Sequence, residues 1–180
     1  MATYLDMLDA IGLILGGTAP DSTLQPHFFS GLQVGDGTGL SGLQGCWSVP
    51  PAALQDAPVA LLLPGAFRVE GPEQTEVFIP GNEWIIDSVR LQVMVSLQDH
   101  PTSWAKLAPF RDSVTTLFNS HMRLSSTAWP VQADGSAFPF TLTAKVIDGR
   151  AGLIPYADTE YVGWEMTLRV WRMLQPIYAP

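Results

Sequence analysis

The sequence predicts an α+β fold: a mostly antiparallel mixed sheet with two helices packed on one face, plus a long Gly-rich arm or loop at about residues 16–56. Three observations predict it. Stretches 83–97 and 158–173 alternate apolar with mixed residues over about twice the length of an ordinary strand. Segments 4–15 and 99–122 carry their apolar residues as helices do. The segment between the first helix and residue 57 has neither period, although it is rich in apolar side chains.

The first helix is expected to begin at Thr3, whose hydroxyl and the following Asp6 resemble a capping box with a shorter acid. Leu5, Met7, Leu8, Ala10, Ile11, Leu13, Ile14 and Leu15 leave only a narrow polar stripe at Asp6 and Asp9, so most of its circumference should be covered. Gly16-Gly17 supplies the stop.

Residues 16–56 hold half of the chain's 16 glycines and almost no charge, yet Phe28, Phe29, Leu32, Val34, Leu40, Leu43, Trp47 and Val49 are apolar. A disordered linker would be polar. Two readings follow. Either the segment is an arm docked on a neighbouring subunit, or it folds back over its own sheet.

The run 57–63 reads as a buried strand closed by Pro64-Gly65, with 67–70 expected to pair with it. Residues 75–79 and 83–97 flank Pro80-Gly81-Asn82 and read as a hairpin. In the long arm, Ile85, Asp87, Val89, Leu91, Val93, Val95 and Leu97 share one face. Trp84, Ile86, Ser88, Arg90, Gln92, Met94 and Ser96 share the other.

Beyond it the period changes: Trp104, Leu107, Phe110, Val114, Leu117, Phe118 and His121 recur at three and four. Asp99, Thr102 or Ser103 is the expected cap, Pro101 fits the first turn, and Pro109 predicts a kink or a broken start. Residues 138–147 alternate again, Asp148-Gly149 is expected to turn, and 151–155 connect to the last strand. There Val162, Trp164, Met166, Leu168 and Val170 form the apolar face. The strand must cross the whole domain or bulge near Gly163. Its other face, with Tyr161, Glu165, Arg169 and Trp171, is too large and mixed for plain exposure and is expected to meet another subunit in part. Arg169 and Arg172 are left three options: pairing with Asp6, pairing with Glu165, or facing a partner.

The 180 residues fit one domain. Hydrophobic content of 47% is ordinary, whereas 14% charged is well under the usual quarter, which suits a surface partly covered by sister subunits. The net charge of −8 is uneven, for no Lys or Arg precedes Arg68 while Asp6, Asp9, Asp21, Asp36 and Asp56 do. An all-acidic first third opposes sequence-reading DNA binding by that part. The lone Cys46 excludes an internal disulfide and suits a reducing cytoplasm. The start is a poor signal peptide, and no apolar run is long enough to span a membrane, so no membrane partner is expected.

No catalytic, cofactor-binding or metal-ligating set stands out. His27, His100 and His121 share no ligand spacing with one another or with Cys46, and His121 continues an apolar helix face. Cys46 has no nearby base. Gly35-Asp36-Gly37-Thr38-Gly39 lacks the Lys and Ser/Thr tail of a phosphate loop. Glu70, Glu73, Glu76 and Glu83 lie in turn-rich sequence and read as a solvated face. The expectation is a protein that is not an enzyme.

The element order, with Tyr161-Val162-Gly163-Trp164-Glu165-Met166 in the closing strand pair, resembles the tail-terminator and neck (head–tail joining) proteins of long-tailed bacteriophages. That resemblance implies a structural virion protein forming a ring, hexameric in the family, that caps the tail tube, stops its growth and joins it to the neck. It implies as partners the chain itself, the tail-tube protein and a neck or head-completion protein. DNA would pass through the lumen without specific binding, and assembly would occur in the host cytoplasm. The expected subunit contacts are Phe28, Phe29, Leu32, Val34, Leu40, Leu43, Trp47, Tyr161, Arg169 and Trp171. The alternatives are a tail-tube or head-completion subunit and, from another class, a small-molecule binding module or enzyme.

Overall fold

The structure, a computed structural model, describes residues 4–16, 27–30, 43–54, 57–70, 83–120 and 142–174. Their order is α1 (Tyr4–Gly16), β1 (Phe28–Ser30), β2 (Gly45–Trp47), β3 (Val59–Glu70), β4 (Glu83–Ser96), α2 (His100–Ser120), β5 (Leu142–Tyr156) and β6 (Thr159–Leu174). The six strands form one sheet in the order β1-β2-β3-β4-β6-β5. Every pairing is antiparallel except β2 with β3. This is the α+β arrangement that the periodicities predict.

β6 crosses the whole sheet. Its register with β4 runs unbroken from Glu83↔Leu174 to Ser96↔Tyr161, so its length needs no bulge at Gly163. The bulges lie in its neighbours. In β3 an extra residue enters between Pro64 and Phe67, where Gly65 passes so close that an added Cβ would stand 2.3 Å from the Ser88 carbonyl oxygen. The second half of β3 therefore continues the strand and pairs with β4, a correction to the expected 57–63/67–70 pair. In β5 the register slips between Val146 and Asp148. The extra residue is Ile147, Asp148-Gly149 stays paired inside one long strand and makes no turn, and the chain reverses later, at Ala157-Asp158, where Ala157 takes φ 50°. Turn-type residues accompany bulges as well as turns, because both need local departures from extended backbone.

Both helices cover one face. Met7, Ile11, Ile14 and Leu15 of α1 and Leu107, Phe110, Val114, Leu117 and Phe118 of α2 join a single core. The sheet supplies Ala60, Leu62, Val89, Leu91, Val93, Val95, Met166, Leu168 and Val170 to it. These are the apolar faces assigned by alternation in β4 and β6. α2 starts on Asp99, whose carboxylate accepts the Thr102 N–H at 3.0 Å, while Ser103 Oγ accepts the Gln98 N–H at 2.8 Å. The helix runs through Pro109 without breaking. Pro109 is exposed, so its ring lies on the solvent side. The expected strand at 75–79, the start of the strand at 138–141, the Thr3 cap, His121 and the C-terminal residues 175–180 lie outside the described residues.

Candidate functional site

The glycine-rich segment, where it is described, folds back. β1 and β2 extend the sheet beyond β3 and lie beneath α1. Phe29 and Leu43 are 1% and 4% exposed and belong to the chain's own core, which removes them as subunit-contact surface. Gly12 of α1 makes room for Phe29, whose ring would lie 2.6 Å from an added Cβ. Phe28 and Trp47 are half-buried and pack on each other with ring centroids 4.6 Å apart. Leu32, Val34 and Leu40 lie outside the described residues.

This fold-back brings together three side chains that no spacing rule connects. Ser48, which is buried, donates its hydroxyl to the carboxylate of Asp9, and His27 Nδ1 lies 3.3 Å from the same oxygen. The Ser48 N–H donates to the His27 carbonyl at 3.0 Å. Serine, histidine and aspartate suggest acyl-transfer chemistry, but the wiring is wrong for it. A nucleophile must hand its proton to the imidazole, with the carboxylate behind that ring. Here the carboxylate is the hub, and the serine is closed off from solvent. The trio ties helix α1 to the strands β1 and β2. Cys46 beside it is equally inert: burial, with the negative charge of Asp9 adding to it, pushes the thiol far above its usual range.

The second face of the sheet is different in kind. One end is covered: Val59, Leu61, Met94, Ile154 and Tyr161 pack together under Trp47, Leu54, Ala57 and Tyr156, whose hydroxyl donates to the Pro51 carbonyl. Tyr161, expected at a subunit contact, is therefore mostly buried within its own chain. Gly163 lies under this cover, since an added Cβ would stand 2.4 Å from Ile154 Cδ1 and 2.7 Å from the Val93 carbonyl oxygen.

The other end is open, and it is basic. Residues paired across strands project from the same side of a sheet. The registers Arg68↔Ile86, Arg90↔Thr167, Ser88↔Arg169, Lys145↔Arg169 and Arg150↔Glu165 therefore place five basic residues on this face. The whole chain has nine Lys and Arg. Trp171 follows Arg169 on the same side, and its ring lies 6.0 Å from the Arg169 guanidinium carbon. Glu165 is held by its neighbours: it accepts from Gln92 Nε2 at 3.0 Å and pairs with Arg150 at 2.8 Å. The Gln92 hydrogen bond, opposed by burial and helped by Arg150, keeps its carboxyl below the usual glutamate range. Glu165 therefore partners Arg150, leaving Arg169 on Trp171.

On the helix side, Trp164 Nε1 donates to the Leu107 carbonyl at 3.2 Å, with Trp104 and Arg111 each 5.8 Å from its ring. A shallow groove of about 200 Å³ lies there, between Arg111 and Thr115 of α2 and the β5 bulge. Among the described residues no group of His, Cys, Asp and Glu is arranged to hold a metal ion, and no helix is long and apolar enough to cross a membrane.

Alternation alone put Arg90 and Arg169 on the second faces of their strands. Alternation likewise sets Lys145 opposite Ala144 and Val146, whereas Arg150, beyond the expected turn, joins them only through the β5 register, which no local pattern encodes. No family model matches the chain, and no curated protein matches it either.

Proposed function

We propose that the chain is a structural virion protein that assembles into a ring at the top of a long-tailed phage's tail tube, ending tail growth and joining the tail to the neck. The observation that carries this reading is the asymmetry of the sheet. One face is sealed by both helices, while the long central strands present an open half-face of bases and Trp171 on the other. Such a face spreads charged and aromatic side chains over three neighbouring strands, which suits a subunit contact better than the enclosure of a small molecule. The meeting point of Ser48, His27 and Asp9 is wired as a tie and supports a non-enzymatic role. In this reading the partners are further copies of the chain, with a hexamer as the family's ring size, the tail-tube protein on one side and a neck or head-completion protein on the other. DNA passes through the lumen without specific contact, and the ring resides in the virion after assembly in the host cytoplasm.

The test is direct. The purified chain is measured by light scattering and imaged alone and with tail tubes. Rings that cap tube ends support the reading, and a strict monomer that ignores tubes and necks overturns it.

A further inference from the structure

On the open face, Lys145 stands directly opposite Arg169, and Arg90 is the diagonal neighbour of Arg169 across β4. Like charges facing each other across a strand pair are destabilising. Among the described residues none of these three forms a salt bridge, although Asp148 lies opposite Thr167 on the same face and Glu165 acts on Arg90 from a distance. This occurs in a chain of net charge −8, in which acids are plentiful elsewhere. A local rule broken on an open surface marks a site whose complement arrives from outside.

The same hairpin carries that complement at its far end. Asp158 and Glu160, both exposed, sit at the β5–β6 turn with no Lys or Arg between Arg150 and Arg169. At about 3.3 Å per residue, the tip lies about 30 Å from Lys145 and Arg169 along the strands. That is several times the Debye length of about 8 Å at physiological salt, so the two charge clusters of one chain do not neutralise each other. Two copies arranged head to tail bring them together.

We propose that the basic half-face of Arg90, Lys145 and Arg169 is the docking site for the acidic hairpin tip, Asp158 and Glu160, of a second copy of this chain. The contact is heterologous: one patch meets a different patch of the next copy, and repetition with closure makes a ring. Trp171 beside Arg169 supplies a flat apolar anchor within the charged rim. The inference rests on the ring reading only in that the chain self-associates.

The test uses charge reversal in the full chain, with mass read by sedimentation and folding by far-UV circular dichroism. The face variant carries Arg90→Glu, Lys145→Glu and Arg169→Glu; the tip variant carries Asp158→Lys and Glu160→Lys. Each alone is expected to weaken self-association by at least about tenfold, because like charges then meet. An equal mixture of the two is expected to regain it, since each mutant face then finds a mutant tip of opposite charge, and so is the chain carrying all five changes. Recovery in the mixture also rules out loss through misfolding. Association unchanged by either reversal, or no recovery in both the mixture and the five-fold variant, overturns the proposal. So does a monomeric wild type whose face binds a single-stranded oligonucleotide and loses it in the face variant, which reassigns the surface to nucleic acid. Rings indifferent to these reversals leave the tail role standing. Salt-sensitive association through this face by a protein that never binds tubes leaves the interface standing and removes the tail role.

Discussion

Ser48 gives its hydroxyl proton to Asp9, not to the His27 ring, although all three side chains meet. Asp9→Ala leaves that buried hydroxyl with only the long contact to the His27 carbonyl at 3.4 Å, and a poorly satisfied buried polar group costs about 1–3 kcal/mol. Ser48→Ala removes the hydroxyl together with its need for a partner and is expected to cost only about 1 kcal/mol. Urea denaturation of both variants and of the pair measures the coupling. Equal, additive losses would mean that the carboxylate is not the hub.

Phe29 separates the two readings of the glycine-rich segment. As a core residue, Phe29→Ala is expected to destabilise the isolated subunit by about 3–5 kcal/mol. Phe67→Ser, at 71% exposed, is expected to stay within about 0.5 kcal/mol. Denaturant midpoints at low protein concentration, where subunits are separate, check both. A neutral Phe29→Ala there would return that residue to an intersubunit role.

Gly163→Ala is expected to cost about 1–3 kcal/mol by overpacking. Adding Ile154→Ala removes only one of the two obstacles, because the Val93 carbonyl, 2.7 Å from the added Cβ, is backbone and stays. The double variant should therefore remain less stable than Ile154→Ala alone. Thermal melts of the three chains decide it.

Glu165 ties stability to acid. Its carboxyl is depressed below the usual 4.5, first by the Gln92 hydrogen bond and then, against burial, by Arg150. A depressed acid contributes stability that is complete above its unfolded value and is lost as pH falls through its folded value. The wild-type advantage over Glu165→Gln is thus expected to be full above about pH 5 and to fade as pH drops below the ordinary glutamate range. Melting both chains from pH 7 to pH 3 tests the sign; a gap that widens in acid refutes it.

Much of the architecture was legible because long alternation is hard to mimic by chance. Val89 to Val95 and Met166 to Val170 fell on the face that the helices cover, and the spacing from Leu107 to Phe118 gave the helix face that covers it. What escaped notice depended on contacts between distant parts of the chain. Asp148-Gly149 has turn chemistry, but it stays paired with Thr167 and Met166 just past the bulge at Ile147, and the actual reversal uses Ala157, which no turn preference favours. The parallel pairing of Cys46 with Ala60 and the meeting of Asp9, His27 and Ser48 arise only when the chain closes on itself. The charge pairing Lys145↔Arg169 was hidden for the same reason, since register is a property of two strands and not of either one.

The strand order carries a consequence for the time course of folding. β5 and β6 are joined by the short turn at Ala157-Asp158, so their ladder zips from a local start. β6 must also find β4, from which the whole of α2 and β5 separate it in sequence. That closure fixes a long loop before its contacts are made, and topologies dominated by such distant pairings are slow. Opening the chain at Ala157-Asp158 and linking Pro180 to Met1 through a flexible spacer would make the fast ladder a distant one. The permuted chain is expected to reach the same sheet on a longer clock, which stopped-flow fluorescence of its tryptophans would read.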